Sequence, residues 1–460
     1  MNLDHWFRAE GRARRFLAAA LIGSLVVAMV MAFQTRHRVY KRMLAGSHEG
    51  VNDFQRWMYL TPAFLAGKAE YVDQELSTPP TTLLIFAPFS RMAPHNGQFA
   101  WVLCKWVFAW GILYCCYGMA RNAGVKLTPL AAGMALAVWM WPVFIDVAEG
   151  QTNLLMLLPL TAGLYLAQSG RPATRLLAGA LVALAICIKV TPLIFLVYLI
   201  WRRRWWEVLG IGLGLGFWLW VLPGLVFGWG RNARWLAEYF HIMIVPYVAH
   251  GTVKYYFGQS LPSFLTRLIR HVPAFDVNGL PPVFVNVVDL PEQAANWIVR
   301  GLLGAMALSG LWWMRKPLGN LNSPRYVVEI GCVAVFMVWA SQQSWVPHYV
   351  SMALALTGAA MVLSSPQEQP EARARARRAL IAAFCLMFMT SDVGKLFGPD
   401  GGEYIRTLGV SIWACLLLIA ATIASRCGTL DFNGTRPGDR RLKTDSPSEN
   451  AKSSQSPHGG

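Results

Sequence analysis

Long apolar runs, almost free of charged side chains, recur along this chain between short polar connections. Phe16 to Phe33 is the first, and "LTPLAAGMALAVWMWPVFI", "EVLGIGLGLGFWLWVLPGLVF", "YVVEIGCVAVFMVWA" and "TLGVSIWACLLLIAATIA" are of the same kind. Each approaches the roughly 20 residues that carry a helix across about 30 Å of hydrocarbon. One such run could be a signal peptide, but a succession along the whole chain is not. Spans are expected near 16–33, 98–119, 127–145, 152–168, 207–228, 297–314, 326–342, 348–363, 379–396 and 404–425. The stretch 174–201 is equally apolar but is interrupted by Lys189, Thr191 and Pro192. With 82–93 and 174–201 included, the pattern predicts an all-α polytopic membrane protein of about twelve transmembrane helices, held in a lipid bilayer.

Composition agrees. Of the 460 residues 55% are hydrophobic and 14% charged, against about a quarter charged in a soluble domain. A net charge of +17 would suit nucleic acid, but the Lys and Arg residues gather in short connections. "FRAEGRARR" precedes the first span, "RRRWW" starts at Arg202, "RKPLGNLNSPR" starts at Arg315, and "EARARARR" occupies 371–378. That is the distribution of cytoplasmic loops. No zinc-ligand or RNA-binding spacing accompanies it, so no nucleic-acid partner is expected.

Orientation follows. Residues 1–15 form a basic cytoplasmic segment, 16–425 the transmembrane domain, and 426–460, rich in Ser, Pro, Gly and mixed charge, a disordered cytoplasmic tail. Two large outer loops, 35–81 and 229–296, are aromatic and amphipathic, a composition suited to the membrane surface. Keeping the basic loops 121–126, 169–175 and 202–206 inside requires that 82–93 only dip into the outer leaflet. It also requires 174–201 to be two short helices that break outward at Lys189. The competing arrangement lets 82–93 cross and makes 174–201 one helix, with Lys189 mid-bilayer and two basic loops outside. No internal repeat of the kind built into many transporters is visible. Seven of the eight cysteines lie in apolar runs and the outer loops hold none, so neither a disulfide framework nor a metal cluster is expected.

Candidate chemistry stands out against this background. An ionisable side chain in a membrane segment is costly unless paired, wetted or snorkelling, so Lys189 in "ICIKVTP" is a functional candidate. Pro192 breaks the helix just beyond it and frees backbone groups. A Lys at such a break is a suitable point charge for a lipid phosphate. In "SHEGVNDFQRWMYL" Glu49 and Asp53 occupy a polar turn, where either alone reads as a solvated charge. His348, at a span mouth after Trp345 and Pro347, reads alone as a structural hydrogen-bond partner. Gln151, Asn153, Gln259 and Ser260 also sit at span mouths, and suit sugar hydroxyls or helix capping equally.

Five blocks occur in one order: "NDFQRWMYLTPAFLAGKAEYVDQELSTPPTTLLIFAPF", "EGQTNLLMLLPL", "AICIKVTPLIF", "GQSLPSFLTRL" and "QQSWVPHYVSMAL". Together they resemble the bacterial polyprenol-phosphate-mannose-dependent glycosyltransferases of GT-C fold. Thr78, Gly258 and Pro347 depart from that pattern, which bears on sugar and acceptor more than on reaction class. The resemblance implies that 16–425 is a GT-C domain in the bacterial cytoplasmic (inner) membrane, with its active site on the outer, periplasmic face. A sugar, mannose first, passes with inversion from a polyprenyl-phosphate donor to a hydroxyl of a glycolipid or polysaccharide acceptor. Such a reaction needs one base for the acceptor proton. The departing phosphate is already anionic and needs no acid, unlike the paired carboxylates of glycosidases. The resemblance gives the base role to Asp53, with Glu49 as the nearby substitute. It gives donor-phosphate contacts to Lys189, His348 and Arg267, and sugar or acceptor contacts to Gln151, Asn153, Gln259, Ser260, Trp345 and Tyr349. Lys254, Tyr255 and Tyr256 are further contacts of lower rank. No metal or other cofactor is implied. An arabinofuranosyltransferase with the same type of donor is the alternative within this chemistry, and a lipid or solute transporter or flippase is the alternative outside it.

Overall fold

The computed structural model describes residues 11–45, 52–71, 78–246, 258–275, 282–342, 344–398 and 401–429. Outside them lie Glu49, Lys254, Tyr255, Tyr256, residues 1–10 of the basic N-terminal segment and 430–460 of the expected tail. Among the described residues every regular element is helical, apart from one isolated bridge between Phe275 and Val283. Five helices are long and apolar enough to cross a membrane: Pro94–Asn122, Pro129–Ala148, Trp205–Phe227, Glu292–Trp313 and Val346–Ser364. Gly401–Thr407 with Val410–Ile423, bent by 51°, makes a sixth. Other apolar runs fold as shorter helices, Asn153–Leu166 and Pro172–Ile188 among them. The first helix, Gly11–Leu44, runs on well past Phe33 because no Pro or Gly interrupts the polar stretch after Gln34. The start of the expected outer loop 35–81 is therefore helical.

The basic connections gather at one end of the bundle. Asn122 donates to Gln168 at 3.0 Å, and Gln168 to the Leu321 carbonyl at 2.8 Å. Arg175 pairs with Glu207 at 2.8 Å. Glu329, buried inside an apolar helix, is held by Arg202, by Arg325 at 3.0 Å and by the Tyr198 hydroxyl at 3.1 Å. A buried carboxylate persists only with such partners.

From that end Pro172–Ile188 rises and stops at Lys189, whose backbone is extended (φ −144°, ψ 139°). Pro192 cannot continue the ladder, so the chain restarts in a tight turn, Thr191–Leu193, and the helix Ile194–Trp201. Arg175 and Arg202 both lie at the basic end, so Lys189 is the vertex of a hairpin. Thr81–Ser90 keeps to the opposite end. Thr82 reaches the Cys187 carbonyl, just before the break, while the Phe89 carbonyl lies beside Gly97 at the start of Pro94–Asn122.

Over this vertex end lie parts of the two aromatic loops. The helix Asp53–Leu65 is anchored by Phe54, fully buried and stacked on Trp101 at 5.1 Å, and by Trp57 stacked on Phe86 at 5.1 Å. Residues 69–71 tie to the helix Trp229–Tyr239. The Trp235 indole donates to Glu70 at 2.9 Å, and the Tyr71 amide to Glu238 at 3.0 Å.

An apolar cavity of about 1120 Å³ runs between Thr191–Trp201, Glu292–Trp313, Pro324–Ala340 and Val410–Ile423. Ile194, Leu302, Met306, Phe336, Trp339 and Ile419 are among its walls. On the Glu292–Trp313 side only Ala295 and Val299 are buried. Trp297 and Ile298 are exposed away from the cavity, while the exposed Leu308 and Trp312 are among its walls.

Candidate active site

Asp53 opens its helix, and the cap explains its position. Asn52, in extended conformation, accepts from the Gln55 amide at 3.3 Å. It also donates to the Ala148 carbonyl at 3.2 Å, and the Asp53 amide donates to the Glu149 carbonyl at 3.1 Å. A carboxylate in the first turn is favoured by the helix dipole. Gln151 donates to Asp53 Oδ2, and Asp53 Oδ1 has no hydrogen-bond partner among the described residues. Asp53 is exposed, yet its charge acts on Lys189 and on Lys105.

Gly150 makes the close approach possible. Its φ is +65°, a region that costs other residues energy, and an added Cβ would lie 2.8 Å from both Asn52 Oδ1 and the Phe54 amide nitrogen. Gly150→Ala is therefore expected to push the Asp53 turn off its seat. Unfolding free energy should fall by about 1–3 kcal/mol, read from thermal unfolding in detergent, with a larger proportional loss of activity. Full activity in this variant would show that the seat is not needed.

Beneath Asp53 runs a line of polar groups. Lys189 Nζ donates to Asn153 Oδ1 at 2.6 Å and faces His348 Nε2 at 3.1 Å. Asn153 Nδ2 donates to Asp146 Oδ2 at 3.0 Å, and Asp146 Oδ1 pairs with Lys105 at 2.8 Å. Lys105 also donates to the Asp146 carbonyl. Asn153, Asp146 and Lys105 are fully buried, whereas Lys189 and His348 are half-buried. His348 Nδ1 accepts from the Trp345 amide at 3.1 Å, so in the neutral imidazole the proton sits on Nε2. Two donors then face each other across 3.1 Å. An anionic oxygen beside both satisfies them together, as a phosphate does.

Lys105, Asp146 and Glu149 are absent from the residues singled out in the sequence. Lys105 in "WVLCKWVFAW" and Asp146 in "VFIDVAEG" are ionisable groups inside apolar runs, the same signal that marks Lys189. Glu149 lies beside Asp53. Partial desolvation first, and the Asp53 charge second, push its carboxyl up against the opposing fields of Lys105 and Arg406. As pH falls, Glu149 takes up a proton before an ordinary glutamate does.

The remaining expected residues form a second group. Ser260 caps Leu261–Ile269, accepting from the Ser263 amide at 3.2 Å. Gln259 donates to the Arg406 carbonyl at 2.9 Å and accepts at its own carbonyl from the Tyr349 hydroxyl at 2.6 Å. Arg267, fully buried, donates to the carbonyls of Gly258 at 2.7 Å and Thr407 at 3.2 Å. Burial pulls its guanidinium down to about 10, which leaves it charged at neutral pH. These bonds knit 258–267, 344–349 and 401–407 together, and Tyr349 joins them to the neighbouring His348. Trp345 is exposed on the same turn. Among the described residues no group of three or more His, Cys, Asp or Glu is placed to hold a metal ion.

The arrangement offers two exposed carboxylates, Asp53 and Glu149, near two cationic or hydrogen-donating nitrogens, and Ile194, five residues after Lys189, is in the wall of the apolar cavity. Comparison with known proteins bears on its use. The model of glycosyltransferase family 87 matches residues 78–341, more than half of the chain. That region contains Gln151, Asn153, Lys189, Gln259, Ser260 and Arg267. Asp53, Trp345, His348 and Tyr349 lie outside it. A relative from Mycobacterium tuberculosis, a polyprenol-phosphate-mannose-dependent alpha-(1-2)-phosphatidylinositol mannoside mannosyltransferase, is 24% identical over 288 residues. The aligned part is 60% of this chain, and the chain spans 59% of that relative's length. No solved structure matches the chain.

Proposed function

The chain belongs to glycosyltransferase family 87, and from that premise we propose that it transfers mannose from a polyprenyl-phosphate donor to a hydroxyl of a cell-envelope glycolipid or polysaccharide. The observation that carries the reading is the seat of Asp53. Its turn docks on Glu149–Gln151, and Asn153 of the same connection holds Lys189 against His348. Asp53 and Lys189 are thus both held by one short stretch of chain, residues 149–153.

Asp53 takes the proton from the acceptor hydroxyl as its oxygen attacks the anomeric carbon. The bond from that carbon to the phosphate oxygen breaks, and its electron pair leaves with polyprenyl phosphate. Lys189 and His348 stabilise the charge that grows there, an electrostatic contribution that is worth most where water is scarce. Attack opposite the leaving group inverts the anomeric centre. The apolar cavity beside Ile194 and Trp339 suits the isoprenoid tail, so the headgroup meets Lys189 from the lipid side. The gathering of basic connections at one end of the bundle supports a cytoplasmic orientation for that end, and with it a site on the outer face of the bacterial cytoplasmic membrane.

The test is transfer by the purified protein in liposomes. Polyprenyl-phosphate mannose and polyprenyl-phosphate arabinofuranose are supplied in parallel with mannoside acceptors. Labelled mannose should appear on the acceptor with inverted configuration. Transfer of arabinose alone would overturn the sugar assignment, and movement of donor across the bilayer without transfer would overturn the enzyme.

A further inference from the structure

We propose that the buried pair Lys105–Asp146 is a positioning device for the donor-phosphate site, acting on Lys189 through the side-chain amide of Asn153. The proposal rests on the reading of Lys189 as a phosphate ligand. An asparagine amide has a donor end and an acceptor end, and only the acceptor end can serve a lysine. Asp146 Oδ2 takes the Nδ2 end of Asn153 at 3.0 Å, which turns Oδ1 towards Lys189 at 2.6 Å. Lys105 fixes Asp146 in turn, through Oδ1 at 2.8 Å and through the main-chain carbonyl. Asp146 is left with one oxygen facing Asn153, and a carboxylate can only accept there.

Without that carboxylate the buried Nδ2 of Asn153 loses its acceptor, and the side chain is no longer anchored where Oδ1 meets Lys189. Lys189 carries three N–H donors. One is spent on Asn153, and with the Nε2–H of His348 3.1 Å away the remaining two turn towards the space where an anionic oxygen would meet both groups. Lys105 and Asp146 also cancel in charge. The device therefore orients Lys189 without neutralising it, which a carboxylate placed directly on Lys189 would do. Neither residue of the pair touches substrate in this scheme, and both act through Asn153.

Removing one member alone strands a buried charge and endangers folding, so the pair is changed together. Lys105→Met with Asp146→Leu removes both charges at similar volume. It is expected to unfold near the wild-type temperature but to bind citronellyl phosphate, a short water-soluble prenyl phosphate, about tenfold more weakly, the scale of one hydrogen bond to a charged group. In transfer assays donor KM should rise and acceptor KM should stay unchanged, a split that general loosening would not give. Lys105→Met with Asp146→Asn restores an acceptor for Asn153 Nδ2, with the charge of Lys189 selecting the correct amide orientation, and should recover most of the lost affinity.

Asn153→Ala keeps the ion pair and removes only the link. It should match the apolar double variant, and it serves if that variant does not fold. Wild-type affinity in the apolar double variant or in Asn153→Ala overturns the proposal, as does equal weakness of the two double variants. Absence of binding by the wild-type protein would instead remove the functional reading, and this proposal with it.

Discussion

Replacement of Asp53 by Asn is expected to lower the transfer rate about a thousandfold, within the range of roughly 10²–10⁴ that a positioned general base supplies. Asparagine keeps the size of the side chain and can still meet Gln151, so the turn on Glu149 and Gly150 should survive. What disappears is the oxygen that accepts a proton. Binding of citronellyl phosphate should persist, because Lys189, His348 and Asn153 are untouched, and Glu49→Gln should transfer normally. A variant that turns over at near the wild-type rate would show that another group removes the acceptor proton, and Glu149 is then the first place to look. Loss of donor binding with Asp53→Asn, at an unchanged single-turnover rate for bound donor, would show that Asp53 holds substrate and does not act as a base.

The second large effect is expected at Lys189. Lys189→Met keeps the length of the chain and removes its charge and donors, leaving His348 and the Asn153 oxygen in place. A hydrogen bond to a charged group contributes about 1.5–3 kcal/mol. Because the phosphate gains charge as the sugar leaves, the loss should weigh more on the transition state than on the bound donor. A fall of about a hundredfold in kcat/KM is expected, with kcat and donor affinity both reduced and acceptor KM unaffected. An unchanged kcat/KM in a folded Lys189→Met protein would assign Lys189 to snorkelling.

Much of this architecture is legible in the sequence because the bilayer is a strict solvent. Apolar runs must be helices there, Pro192 must break one of them, and the basic loops must collect at one end. Those rules favour the hairpin with Lys189 at its vertex over a single helix through 174–201. The pairing of Gln151 with Asp53 is less legible, since it joins residues far apart in the chain and depends on the left-handed glycine between Glu149 and Gln151. Lys105 and Asp146 are hidden for another reason. A charge in an apolar run marks itself, but its partner in a different run is fixed only by how helices rotate against one another. Arg267 illustrates the reverse. Its charge suggests a phosphate contact, while the fold gives its guanidinium the carbonyls of Gly258 and Thr407, which no local pattern foretells. The helix Gly11–Leu44 outlasts its apolar stretch because hydropathy reports where lipid is, not where hydrogen-bond ladders end.

The cavity against Glu292–Trp313 has a kinetic consequence. A long-chain substrate that enters sideways, between helices, never passes through water on its way to Lys189. Its encounter rate is then governed by how crowded it is within the plane of the membrane, in moles per mole of phospholipid. Diluting a suspension of loaded vesicles leaves that ratio alone and should leave the velocity per vesicle alone, whereas adding inert phospholipid to the same vesicles should slow it.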